Sequence, residues 1–215
     1  MINFVEDFKM EKQDKKTCIL MAAEKLFSEL GYEGTSTRHI AKEAGANMAM
    51  INYYFGSKDG VFMEIMSKRI NDFSLQLSSI QEADISTLEK LMLVIDQYVR
   101  RILSNIAFHK MMHREMSLSQ RPEMFSKLKQ AMSKNLNSIE NLINKGIESG
   151  CFRPVDVRML IATIMGTITN VATAPSKITE GSKLDIQIPE DREILTERLI
   201  TYLKDLITTY ITPQK

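Results

Sequence analysis

Apolar residues recur along this chain every three or four positions, and almost nowhere every two, so the pattern predicts helices and no strand. Ile19, Ala22, Ala23, Leu26, Phe27 and Leu30 form one stripe of a first helix over about residues 15–30, which Gly31 stops. Residues 1–13 ahead of it are expected to form a mobile arm. Two short helices follow within residues 36–55. A long helix over about 58–79 carries Phe62, Ile65, Met66, Ile70, Phe73 and Leu77. Further helices are predicted over about 85–105, 107–118, 122–148, 155–174 and 190–211, with Pro122 suited to a first helical position. The helix over 155–174 is apolar nearly all round, which calls for partners on every side. Residues 175–189 read as a polar loop long enough to be mobile. The fold class is therefore all-α, with about nine helices.

Composition narrows the setting. A chain of 215 residues buries a proper core. Charged residues interrupt every apolar stretch before it reaches a membrane span, and the first residues lack an apolar signal core, so a cytoplasmic protein with no membrane partner is expected. Cys18 and Cys151 form no metal-type pair and are expected to pack as small apolar residues in a reducing compartment. The net charge is +1. Residues 1–60 hold eight Lys/Arg against nine Asp/Glu, and only the window 35–58 tips positive, with Arg38, Lys42 and Lys58 against Glu43. A generic phosphate binder would carry a broad basic face. Nucleic-acid binding must then rest on local geometry.

That geometry lies in residues 36–54, STRHIAKEAGANMAMINYY. Ser36 or Thr37 can cap a first short helix, with Ile40, Ala41 and Ala44 on one face. Gly45 can take the left-handed conformation that ends it, and Asn47 can cap the second, turning Ile51 and Tyr54 inward. A small residue, a glycine four positions later and an apolar residue six after that make the helix-turn-helix pattern, whose second helix enters the DNA major groove. On that second helix Met48, Ala49, Met50, Asn52 and Tyr53 are expected to face outward. Asn52 can read an adenine edge, Met or Ala can touch a thymine methyl, and Tyr53 and Tyr54 can reach phosphates through their hydroxyls. Phe55 is expected to be buried. The amino end of the first short helix, at Thr37 and Arg38, offers unpaired amides to a phosphate.

The flanks strengthen the pattern. AAEKLFSELGYEGTST precedes it and YYFGSKDGVF overlaps its end. Over about residues 16–65 the chain resembles the DNA-binding domain of the TetR family of bacterial transcriptional regulators. The resemblance implies a three-helix DNA-binding head in residues 1–60, including the arm. A long helix then leads into a ligand-binding and dimerisation body in residues 61–215. It also implies backbone or base-edge contacts for Thr37 and Arg38, and a phosphate contact for Lys58. By the same resemblance the body holds a pocket for an unknown small-molecule effector. Candidate walls are Phe73, Leu77, Ile95, Tyr98 and Met112, together with His113, Met116, Phe125 and Met132; their Met and aromatic content suits an apolar or amphipathic ligand.

The two C-terminal helices carry more apolar surface than one core needs, which suggests a homodimer. Ile161, Met165 and Ile168 on one, and Leu199, Leu203, Leu206 and Tyr210 on the other, would meet their copies across a two-fold. Two heads so related read a pseudo-palindromic operator in double-stranded DNA. A repressor released by its effector is the expected activity. The alternative is a helical interaction or scaffold protein whose hairpin only mimics the motif. His109 and His113 stand four apart, as paired metal ligands would, but no third ligand has a recognisable spacing, so no cofactor is expected. Nor does any phosphate loop, Cys/His dyad or paired-carboxylate site point to an enzyme.

Overall fold

In the computed structural model, which describes residues 2–118 and 122–213, the described residues form ten helices and no strand. They divide into two compact units. One comprises residues 1–71 with 110–131, the other 72–109 with 132–215.

The first unit contains α1 (Ile2–Gly34), α2 (Thr37–Glu43) and α3 (Met48–Phe55), and α4 (Lys58–Glu82) begins in it. Helix α1 starts at Ile2, well before the expected start near residue 15. Its course breaks at Gly31, with φ 75° and ψ 172°, as the sequence suggests. Ile19, Ala22, Ala23, Leu26 and Phe27 are buried, but Leu30 is exposed, because the chain turns at Gly31 and Tyr32 packs on Phe27 instead. Phe27 and Tyr32 stack at 5.5 Å, and Phe62 of α4 meets both edge-on at 5.6 and 5.2 Å. Aromatic pairs in this geometry add to the area they bury. Ion pairs Arg69–Glu24 at 2.7 Å and Lys16–Glu64 at 2.5 Å join α4 to α1.

The second unit is built round α5 (Thr87–Leu103), which packs against α8 (Val157–Thr173) and α10 (Pro189–Ile211). A capping box starts α5: Glu89 N–H donates to Ser86 Oγ at 3.2 Å and Ser86 N–H to Glu89 Oε2 at 2.9 Å. The Ser86 hydroxyl, which donates to Glu89 Oε2 at 2.7 Å, and the Ser86 N–H together hold the Glu89 carboxyl below its ordinary pKa. Leu91, Val94, Ile95, Val99, Ile102 and Leu103 form its buried face. On the surface Arg100 of α5 pairs with Asp96 and Glu193, each at 2.7 Å, and with Glu197. Helices α6 (Ile106–Leu118) and α7 (Pro122–Glu148) each contribute residues to both units.

One sequence expectation is met only in part by a single chain, and two are corrected. Helix α8 is not enclosed by its own chain: Leu160, Ile161, Ile164, Ile168, Val171 and Ala172 are buried, whereas Met159, Ala162, Thr163, Gly166 and Asn170 are exposed. The loop over 175–189 contains a short helix, α9 (Ser176–Thr179), because Pro175 presets a helical φ and its carbonyl accepts from Ile178 and Thr179 N–H. Cys18 and Cys151 are exposed rather than packed, each lying off the buried stripe of its segment.

Candidate nucleic-acid interface

The α2–α3 hairpin is held by its caps and by the buried residues of each helix. Ser36 Oγ accepts from His39 N–H at 3.1 Å and opens α2. Ala46 N–H donates to Ala41 O at 2.9 Å and Gly45 N–H to Lys42 O at 3.3 Å. This is a Schellman closure, and it requires the left-handed backbone that Gly45 adopts at φ 56°. Asn47 Oδ1 then accepts from Met50 N–H at 2.9 Å and opens α3. Ile40 and Ala41 are the buried residues of α2, and Ile51 is the buried residue of α3. Lys25 of α1 steadies α2 through a 2.6 Å pair with Glu43, and that hydrogen bond keeps the Glu43 carboxyl below its ordinary pKa.

Met48, Ala49, Asn52 and Tyr53 are exposed, while Met50 and Tyr54 are half-buried. Phe55, expected in the core, is also half-buried, with the Lys16 ammonium 5.7 Å from its ring centroid. It is the last residue of α3, next to Gly56 and one turn beyond the buried Ile51. On α2, Thr37 is half-buried and Arg38 and His39 are exposed.

Lys58 is more constrained than its sequence context suggests. Its ammonium donates to Tyr32 O at 2.9 Å, lies 4.2 Å from the Tyr32 ring centroid and stands 3.8 Å from Glu33. The neighbouring Asp59 accepts from the Tyr32 hydroxyl. Together they clamp the start of α4 to the turn after α1. Sequence reasoning missed this clamp, and it missed Gly60. A Cβ at Gly60 would lie 1.8 Å from Phe55 O, so only glycine lets α4 begin this close to the end of α3. The adjacent Asp59–Gly60 pair was the available signal, although it ordinarily marks a turn rather than a helix start.

The other predicted residues are distributed as follows. Phe73, Leu77, Ile95, Tyr98 and Met132 belong to the second unit, and Met112, His113, Met116 and Phe125 to the first. Phe73, Leu77 and Ile95 are buried, and the Tyr98 ring lies 5.3 Å from that of Phe73, with burial pushing its phenol pKa up. Phe125 is buried against Phe62, Met112, Met116 and Met132 are half-buried, and His113 is exposed. His109 is buried, so the two histidines do not share one setting. Among the described residues no three His, Cys, Asp or Glu side chains are grouped to hold a metal ion.

Of the expected interface residues, Ile161, Ile168, Leu199 and Leu203 fill the core of their own chain, because that side of α8 and α10 faces α5. Met165 is half-buried, and Leu206 and Tyr210 are exposed. Met159, Ile194 and Tyr202, which were not singled out, are more exposed, at 63%, 54% and 56%. Among the described residues no helix is long and apolar enough to cross a membrane.

Comparison with known proteins agrees with the hairpin. The family model described as bacterial regulatory proteins, tetR family, matches residues 19–65, and one described as the tetracyclin repressor-like C-terminal domain matches residues 84–173. The fatty acid metabolism regulator protein of Bacillus subtilis (strain 168) is 26% identical over 164 residues, 76% of this chain and 84% of that one. The ketosteroid transcriptional regulator KstR2 of Mycobacterium tuberculosis has the same fold, with a TM-score of 0.71 at 20% identity over 93% of this chain and 95% of that one. So does the transcriptional regulator FadR from Bacillus subtilis in complex with stearoyl-CoA, with a TM-score of 0.68 at 24% identity over 87% and 96%. With family models matched over residues 19–65 and 84–173 and a capped hairpin of the right form, the chain belongs to the TetR family of bacterial regulatory proteins and is a helix-turn-helix, DNA-binding transcriptional regulator.

Proposed function

We propose that the protein is a cytoplasmic repressor that binds a palindromic operator as a homodimer and is released by a small-molecule effector. The observation that carries this reading is α3 itself: it buries Ile51 and leaves Met48, Ala49, Asn52 and Tyr53 exposed. Asn52 reads a base edge, and Met48, Ala49 and Met50 lie against bases. Thr37, Arg38, Tyr53, Tyr54 and Lys58 serve the phosphates. For Lys58 that role adds to its clamp on Tyr32, since an ammonium has three donors.

One eight-residue helix touches too few bases for useful specificity, so a two-fold pair of heads completes the site. The exposed strips of α8 and α10 support dimerisation. Thr163 and Thr167 donate their hydroxyls to the carbonyls of Met159 and Thr163, at 2.9 and 2.8 Å, so these polar groups on α8 are already satisfied within the helix. Met159, Tyr202, Leu206 and Tyr210 offer an apolar surface that a second copy would cover. Release follows by population shift: the effector binds the form without DNA more tightly, and the ratio of its two affinities bounds the response. Phe73, Leu77, Ile95 and Tyr98 are candidate walls for an amphipathic effector, a class to which the stearoyl-CoA of the FadR complex belongs.

Electrophoretic shift with the DNA upstream of the protein's own gene tests the proposal, together with a mass measurement in solution. A dimer giving a sequence-selective, salt-sensitive shift that long-chain acyl-CoA or another amphipath reverses is expected. An intact dimer with no shift at low salt would favour the scaffold reading. A shift that a broad panel of amphipaths leaves unchanged would remove the effector half.

A further inference from the structure

The reading surface contains no charge. Residues 44–57, spanning the turn, α3 and the cap that follows, hold no Asp, Glu, Lys or Arg. The outward face of α3 is Met48, Ala49, Asn52 and Tyr53, with Met48 42% and Tyr53 74% exposed. Met48 and Asn52, like Ala49 and Tyr53, are four residues apart and so stack along one side of the helix. Asn47, at the start of the helix, commits its side-chain oxygen to the cap through Met50 N–H.

The major-groove code assigns partners to such a set. Guanine shows two acceptors suited to Arg or Lys, and cytosine shows a donor suited to Asp or Glu. Adenine shows a donor beside an acceptor, which an Asn amide matches, and thymine shows a methyl, which apolar side chains match. A G·C pair against Met48 or Ala49 would lose water from polar edges and gain no partner, which is costly. An A·T pair shows polar atoms too, but its thymine methyl gives the same apolar side chains a partner that a G·C pair does not offer.

We infer that the base pairs facing α3 are A·T, with thymine 5-methyl groups packed on Met48 and Ala49 and an adenine edge on Asn52. Methyl recognition, rather than guanine reading, then sets the operator preference. This rests on the DNA-binding reading above and narrows it to a class of operator.

Selection from a randomised duplex library with the full-length protein tests it. The positions whose base preference relaxes in Asn52→Ala identify the pairs under α3. A·T pairs are expected there and at their immediate neighbours. Replacing those thymines by deoxyuridine, which removes only the methyl, is expected to weaken binding about four-fold per contacted methyl. Met48→Ala is expected to erase the difference between thymine and deoxyuridine at one position, whereas Lys42→Ala weakens both duplexes alike. G·C pairs at those positions, or equal binding of thymine and deoxyuridine duplexes, would overturn the inference and leave the DNA-binding reading standing. Enrichment of no sequence at all would overturn both.

Discussion

The salt dependence of DNA binding follows from how few cations surround α3. In the window 35–58 the basic residues are Arg38, Lys42 and Lys58, and Lys58 is already tied to Tyr32 O and near Glu33. Arg38 and Lys42 are exposed. Glu33, 3.8 Å away, already offsets the Lys58 charge, so its phosphate contact adds little to the slope. Two net charges per head give about four neutralised phosphates for a dimer, hence a slope of log K against log salt of about −3.6. Raising salt from about 50 to about 200 mM should then weaken binding about 150-fold, far less than for a protein with a broad basic face. Arg38→Gln removes one charge per head, so the slope should fall to about −1.8 and the same salt change should cost only about 12-fold. Fluorescence anisotropy on one operator duplex, titrated at several salt concentrations for both proteins, measures both slopes. A wild-type slope beyond about −7, or a slope that Arg38→Gln leaves unchanged, would show that the phosphate contacts lie elsewhere.

Other substitutions probe the parts separately. Gly60→Ala forces a Cβ onto Phe55 O and should destabilise the first unit by at least about 3 kcal/mol, seen as a lowered unfolding midpoint together with loss of DNA binding. Gly146→Ala places a Cβ 2.1 Å from the Phe152 ring and should cost about 1–3 kcal/mol in thermal unfolding while leaving residues 36–55 unchanged. Tyr53→Ala should weaken all duplexes about equally, as a lost phosphate contact does, whereas Asn52→Ala should relax base preference; competition between cognate and altered duplexes separates the two. Acid titration tests the Lys25–Glu43 tie. Because the Glu43 carboxyl is held below its ordinary value, its contribution is present above that value and disappears as pH falls through the lower folded one. Lys25→Met should flatten that acid limb of the stability profile, and an unchanged limb would refute the assignment.

Much of the fold was legible because helix ends and stripes are local properties. The Ser36 and Asn47 caps, the Gly31 and Gly45 stops and the buried Ile40, Ala41 and Ile51 all follow from short-range sequence, and each lies where its residue type dictates. The outward side of α3 was legible for the same reason, since fixing Ile51 inward fixes the phase of a single helix. What periodicity does not carry is the identity of the neighbour. The apolar positions of α8 and α10 include both Ile168 and Leu203, buried against their own chain, and Met159 and Tyr202, exposed. A one-dimensional pattern marks all of them as hydrophobic, and only the course of α5 divides them. The Tyr32–Lys58–Asp59 clamp and the Phe55–Gly60 approach were missed on the same account, because each depends on where one helix begins relative to another.

The distinction also bears on how the proposed reading surface could stay adjustable. Stability at α3 is concentrated in Ile51, the Asn47 cap and the joint at Gly60, none of which is on the outward face. Met48, Ala49 and Asn52 are exposed, so exchanging them costs little folding energy, on the order of 0.5 kcal/mol for a surface site. A different operator could thus be read by changing three side chains, with the scaffold untouched. Lys58 is the exception, because the same ammonium would serve both tasks: it holds the Tyr32 carbonyl while remaining partly exposed. Lys58→Ala should therefore lower both DNA affinity and the unfolding midpoint, whereas Arg38→Gln should lower affinity alone. If Lys58→Ala left the midpoint unchanged, the clamp would carry no folding energy and the lysine would act on phosphate only.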